Sequence, residues 1–148
     1  MFSYQVLLWY QQVAFINLIL QIVMLGMILI AVWFRLKASF RRHGTLMLSA
    51  VILHVISFLL VMGPSFLSFG SSVISQPSNR RSAITLAHTI TGGISIVLGV
   101  WLVGSWHLQS ITQICMKRKP IMRITITLWI TALLLGILLY MLLYTTLL

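Results

Sequence analysis

The chain has 148 residues, 60% hydrophobic and 7% charged, with ten Lys and Arg and no Asp or Glu. A soluble domain carries roughly a quarter charged residues, so this composition points to an integral membrane protein. The missing carboxylates exclude paired-carboxylate catalysis, carboxylate-bound di-iron, Asp/Glu proton relays and a Ser-His-Asp triad within the chain. The net charge of +10 does not signal nucleic acid, because the basic residues end apolar runs and form no stripe on a polar fold. The single cysteine, Cys115, leaves no intrachain disulfide framework and no Cys-rich metal site.

A membrane-crossing helix needs about 20 mostly apolar residues, and four runs qualify. The first covers 13–34. The start before it, MFSYQVLLWYQQ, has no basic n-region, so this run is expected to be retained as a span. Within it Asn17 and Gln21 form an i, i+4 amide pair. Interhelical hydrogen bonding is the default for such a pair, and contact to a quinone or cofactor is the alternative.

The connection RLKASFRRHG leads to the second span, 45–66, whose end overlaps a Gly/Ser/Pro-rich stretch, 63–82, read as a loop. On this second helix His43, Met47, Ala50, His54 and Ser57 recur at helical spacing and share one face. The third span covers 83–106 and places His88, Gly92, Ser95 and Gly99 on one stripe. Small residues at that spacing favour close helix packing; Gly92, one turn from His88, would also leave room for a flat macrocycle. The stretch HLQSITQICMKRKPIMR leads to the fourth span, 124–147. Its stripe Thr125, Trp129, Ala132, Gly136 and Tyr140 reads as a packing face.

The first and third connections are rich in Lys and Arg, while the middle one holds only Arg80 and Arg81. An excess of basic residues marks the cytoplasmic side. The expectation is an all-α, integral membrane four-helix bundle, a single domain over 1–148, with antiparallel up-down topology, both termini outside and the lipid bilayer as its partner. A prokaryotic cytoplasmic membrane is expected in preference to the mitochondrial inner membrane.

The four histidines are the candidates for a cofactor. Haem b held by two imidazoles needs them on different helices at nearly one depth. His43 to His54 spans about 16 Å and His88 to His107 about 28 Å at 1.5 Å per residue, so two level pairs would miss by roughly 12 Å. One pair is left, His54 with His88, and Gly92 beside it. For His54 a functional role is favoured, because ionisable residues deep in a membrane are costly. For His43 an interfacial position beside Arg41 and Arg42 is favoured. His43, Met47 and His107 are the weaker set for a metal, with Cu(I) the ion that a His and Met pair suits.

Three stretches, RRHGTLMLSAVILHVISFLL, AHTITGGISIVLGVWLVGSW and KRKPIMRITITLWITALLLGILLYMLL, resemble the domain-of-unknown-function family numbered 420. These are small four-helix membrane proteins whose bacillus-type members are linked to making active cytochrome aa3 oxidase. The likeness runs from about Arg42 to Leu143. It lies in His43 with Leu46 and Met47, in His88, and in Lys117 to Lys119 with Trp129, Gly136 and Tyr140. The chain departs from the family before helix four, where Lys117-Arg118-Lys119-Pro120 stands in place of a His-Arg pair; His107 is the nearest substitute. A looser likeness is to b-type cytochrome bundles. The resemblance implies a non-catalytic assembly factor or accessory subunit of a larger respiratory complex. A b-type haem electron carrier and a structural subunit without cofactor are the alternatives.

Overall fold

The computed structural model describes residues 2–76, 78–106 and 118–144. They form helices α1 (Phe2–Leu36), α2 (Phe40–Ser57), α3 (Gly63–Ser75), α4 (Arg80–Trp106) and α5 (Lys119–Tyr144). A π-helical turn, Phe58–Met62, joins α2 to α3. Among the described residues there is no strand. Four helical stretches are long and apolar enough to cross a membrane: Gln11–Leu36, Phe40–Ser68, Arg80–Ser105 and Lys119–Leu143. His107 and Cys115 lie outside the described residues.

The connection after the first span is much shorter than its sequence suggests. Ala38 adopts the left-handed conformation (φ 55°), and Ser39 N–H bonds Phe34 C=O while Ala38 N–H bonds Arg35 C=O. This is the double closure of a Schellman motif, with alanine at the position usually given to glycine. The helix ends and α2 begins within a few residues. Arg41, Arg42 and His43 therefore lie in the first turns of α2.

The stretch 63–82, read from sequence as a loop, is helical over Gly63–Ser75. Pro64 explains how. A proline inside a helix removes an N–H and crowds the carbonyl four residues back. The backbone answers by widening one turn: Gly63 N–H bonds Phe58 C=O five residues back, the spacing of a π-turn. The helix then continues past the proline as α3. At the next start, Asn79 Oδ1 accepts from Arg81 N–H at 3.1 Å, capping α4.

Packing follows the inward stripes. The most extensive contacts join α4 to α5 and α1 to α2; α1 against α5 and α2 against α4 close the ring, and α3 leans on α4 and the π-turn. Ala31 meets His43 and Asn17 meets Ser57, so α1 and α2 run in opposite directions. His88 meets Ala132 while Ser105 meets Arg118, so α4 and α5 do too. Met24, Ile28, Ala50, Val51, Trp129 and Leu133 form the apolar centre. Gly99 brings α4 close to α2, since a Cβ there would sit 3.2 Å from Val51 Cγ2. Large aliphatic residues such as Leu29, Ile52, Val97 and Leu134 stay exposed on the outside, as a surface facing lipid requires.

With no Asp or Glu side chains in the chain, cations find rings. Lys37 Nζ lies 4.6 Å from the Trp33 ring centre, the Arg42 guanidinium 5.6 Å from Phe34, and the Arg118 guanidinium 4.8 Å from Trp101. Such contacts are worth about 0.5–1 kcal/mol when exposed. Arg118 also donates to Ser105 Oγ, tying the ends of α4 and α5 together. Helical Ser and Thr hydroxyls mostly donate to their own helix, as Thr85 does to Arg81 C=O and Thr125 to Ile121 C=O. That keeps them satisfied without water.

Candidate functional site

The stripes of α2, α4 and α5 all face inward, so His43, His54, Ser57, His88, Gly92, Ser95, Thr125 and Trp129 are buried in the bundle. Gln21 on α1 joins them, 3% exposed. Each group meets a different fate.

His88 is fixed by its neighbour helix. Its Nδ1 lies 2.8 Å from Ala132 C=O. A carbonyl only accepts, so the proton is on Nδ1 and, in the neutral ring, Nε2 carries a bare lone pair. Gly136, one turn beyond Ala132, makes this approach possible. A Cβ there would sit 2.8 Å from both His88 Cε1 and Gln21 Nε2, and closer still to Gln21 Oε1. His43 repeats the arrangement at the other end of the bundle, with Nδ1 2.8 Å from Ala31 C=O.

His54 is held differently. Its ring stacks on Trp129, with centres 5.2 Å apart and planes 20° from parallel, and His88 is its electrostatic neighbour. His54 Nδ1, Trp129 Nε1 and Gln21 Oε1 are buried with no hydrogen-bond partner among the described residues. Below the Gln21 level, Ser57 Oγ donates to Asn17 Oδ1 at 2.8 Å.

Replacing His54 with leucine removes an unpartnered polar atom while keeping most of the volume. The expected result is unchanged or higher stability, by up to about 1 kcal/mol, read as the thermal midpoint of the detergent-solubilised protein. A loss greater than about 2 kcal/mol would show that His54 Nδ1 has a partner in the working protein.

Two cavities adjoin these groups. The larger, about 470 Å³, lies among α1, the π-turn, α3, α4 and α5, with Gln21, Phe66, Arg81, His88, Gly136 and Tyr140 on its walls. The smaller, about 50 Å³, is lined by His43, Met47 and Met122 among others. Among the described residues no three His, Cys, Asp or Glu side chains gather as a metal site, and His107 lies outside them. Phe66, Arg81 and Met122 carry no sequence signal of a site: Phe66 lies where an apolar run passes into a Gly/Ser/Pro-rich stretch, and a basic or apolar residue near a span end, as Arg81 and Met122 are, is ordinary.

A haem between His54 and His88 would need an open slot touching both rings. The larger cavity reaches His88 and not His54. Trp129 covers the His54 ring face, and Gly92 looks onto Ala132, whose Cβ would stand 4.0 Å from a Cβ added there. The residues do not fit a haem bridging this pair.

Inward polar stripes, an aliphatic exterior and four helices of spanning length define the class of this protein: a helical membrane bundle. Compared with protein-family models, curated proteins and solved structures, the chain matches none.

Proposed function

We propose that the chain is a non-catalytic multi-pass membrane protein serving a respiratory, haem-copper-type membrane complex as assembly factor or accessory subunit. In this reading it lies in a prokaryotic cytoplasmic membrane as an up-down bundle. The basic residues at the α1–α2 turn and before α5 face the cytoplasm, and both termini lie outside. The observation that carries the non-catalytic part is the use made of the buried polar groups. Two of the three described histidines donate Nδ1–H to a carbonyl of a neighbouring helix, and Ser57 and Asn17 bond each other. The chain has no Asp or Glu side chain to act beside them. An interior so arranged holds helices together and presents no set of reacting groups. The link to an oxidase rests on the resemblance of the stretches around His43, His88 and Trp129 to the four-helix family.

Deletion of the chain tests this. Loss of terminal oxidase activity, with the purified wild-type oxidase lacking the chain, is the result expected of an assembly factor. Stoichiometric co-purification makes it an accessory subunit. Undiminished oxidase activity after deletion overturns both.

A further inference from the structure

The larger cavity has a buried imidazole and an exposed cation among its lining residues. His88 lines it with Nδ1–H committed to Ala132 C=O, which is how metal-binding imidazoles are commonly oriented by a second partner. Arg81 lies on the same helix, seven residues or two turns earlier, and lines the same cavity. The two are about 10 Å apart along the axis, of the order of the distance from a porphyrin's centre to its carboxylates. Arg81 is exposed, and the chain has no Asp or Glu side chain to pair with it. Gln21, nine-tenths buried and more, is on the same wall with an unpartnered oxygen. The remaining walls are largely aliphatic and aromatic, with Gly70 and Gly136 lowering two of them. A volume of about 470 Å³ falls within the range of roughly 300–1,000 Å³ typical of ligand sites.

Three occupants can be compared on these features. A lipid acyl chain fits the walls but leaves His88 Nε2 unmatched. A quinol matches the nitrogen through a hydroxyl but gives Arg81 no anion. An iron porphyrin bearing carboxylates matches the nitrogen, the cation and the apolar walls together.

We propose that this cavity binds a single iron porphyrin, with His88 Nε2 as an axial ligand and Arg81 holding a porphyrin carboxylate. This site lies beside His88, away from the His54–Trp129 stack, and does not depend on the oxidase reading.

The test uses the purified full chain in detergent or lipid nanodiscs, titrated with iron protoporphyrin IX and followed in the Soret region. Wild type is expected to bind one equivalent saturably with a shifted Soret band. His88→Ala abolishes the shift, Arg81→Gln weakens binding about tenfold through loss of a charge-assisted contact, and His54→Leu leaves both unchanged. If the alanine variant does not fold, His88→Gln, which keeps an N–H donor for Ala132 but has no imidazole, takes its place. Metal-free protoporphyrin IX is expected to bind more weakly than the iron form and equally to wild type and the His88 variant. Absence of saturable binding, a Soret shift that survives loss of the imidazole, or one abolished by His54→Leu overturns the proposal. Because binding is read without any oxidase present, its failure leaves the deletion experiment untouched.

Discussion

Replacing Trp129 with alanine is expected to destabilise the bundle by about 3 kcal/mol, the lower end of the range for large-to-small changes at a buried tryptophan. Trp129 is fully buried, belongs to the apolar centre with Met24, Ile28, Ala50, Val51 and Leu133, and supplies the surface on which His54 stacks. The lower end applies because lipid, unlike water, solvates an apolar side chain, so the loss is mainly of packing and of the cavity left behind. The measurement is reversible unfolding in mixed micelles. Trp129→Phe is expected to cost little: it keeps an aromatic face for His54 and removes an indole N–H that is unpartnered among the described residues. A phenylalanine variant as unstable as the alanine one would mean that the indole N–H has a partner after all.

The second large effect is expected at Gly136. Alanine is the better helix former by about 1 kcal/mol, so an exposed glycine there would gain from the change. Here the added methyl meets Gln21 Nε2 and His88 Cε1 at 2.8 Å. The Gln21 amide can swing toward the cavity that it lines, but the His88 ring is tied to Ala132 C=O and cannot move without losing that bond. Overpacking of this kind costs about 1–3 kcal/mol, so Gly136→Ala is expected to lower stability despite its propensity gain. Iron porphyrin binding should fall with it, because the lone pair of His88 is aimed by the same bond. Gly93, where a Cβ would meet nothing within 4 Å, is the control: Gly93→Ala is expected to be neutral or stabilising. Equal behaviour of the two variants would overturn the steric account.

The inward faces were legible because lipid leaves little choice. His43, Ala50, His54 and Ser57 on α2, and His88, Gly92, Ser95 and Gly99 on α4, recur at helical spacing among residues that lipid can solvate. All of them are buried. The stretch after Met62 was less legible. Gly63, Pro64 and several serines carry ordinary loop chemistry, and local propensity contains nothing about a π-turn that lets the helix pass the proline. The same gap hid the cavity, since α3 supplies part of its wall.

The sequence by itself determined that the chain is helical with four stretches apolar enough to cross a membrane, roughly where they lie, and which stripe of α2, α4 and α5 turns inward. Those properties depend on composition and on the 3.6-residue period, both local. Only the tertiary structure decided which histidine nitrogen carries the proton, that His54 stacks on Trp129, and that His88 shares a cavity with Arg81. These depend on how each helix is rotated against its neighbours and on where a carbonyl such as that of Ala132 comes within reach. Relations of that kind lie between residues distant in the chain, 44 positions apart for His88 and Ala132, and no stretch of sequence contains both partners.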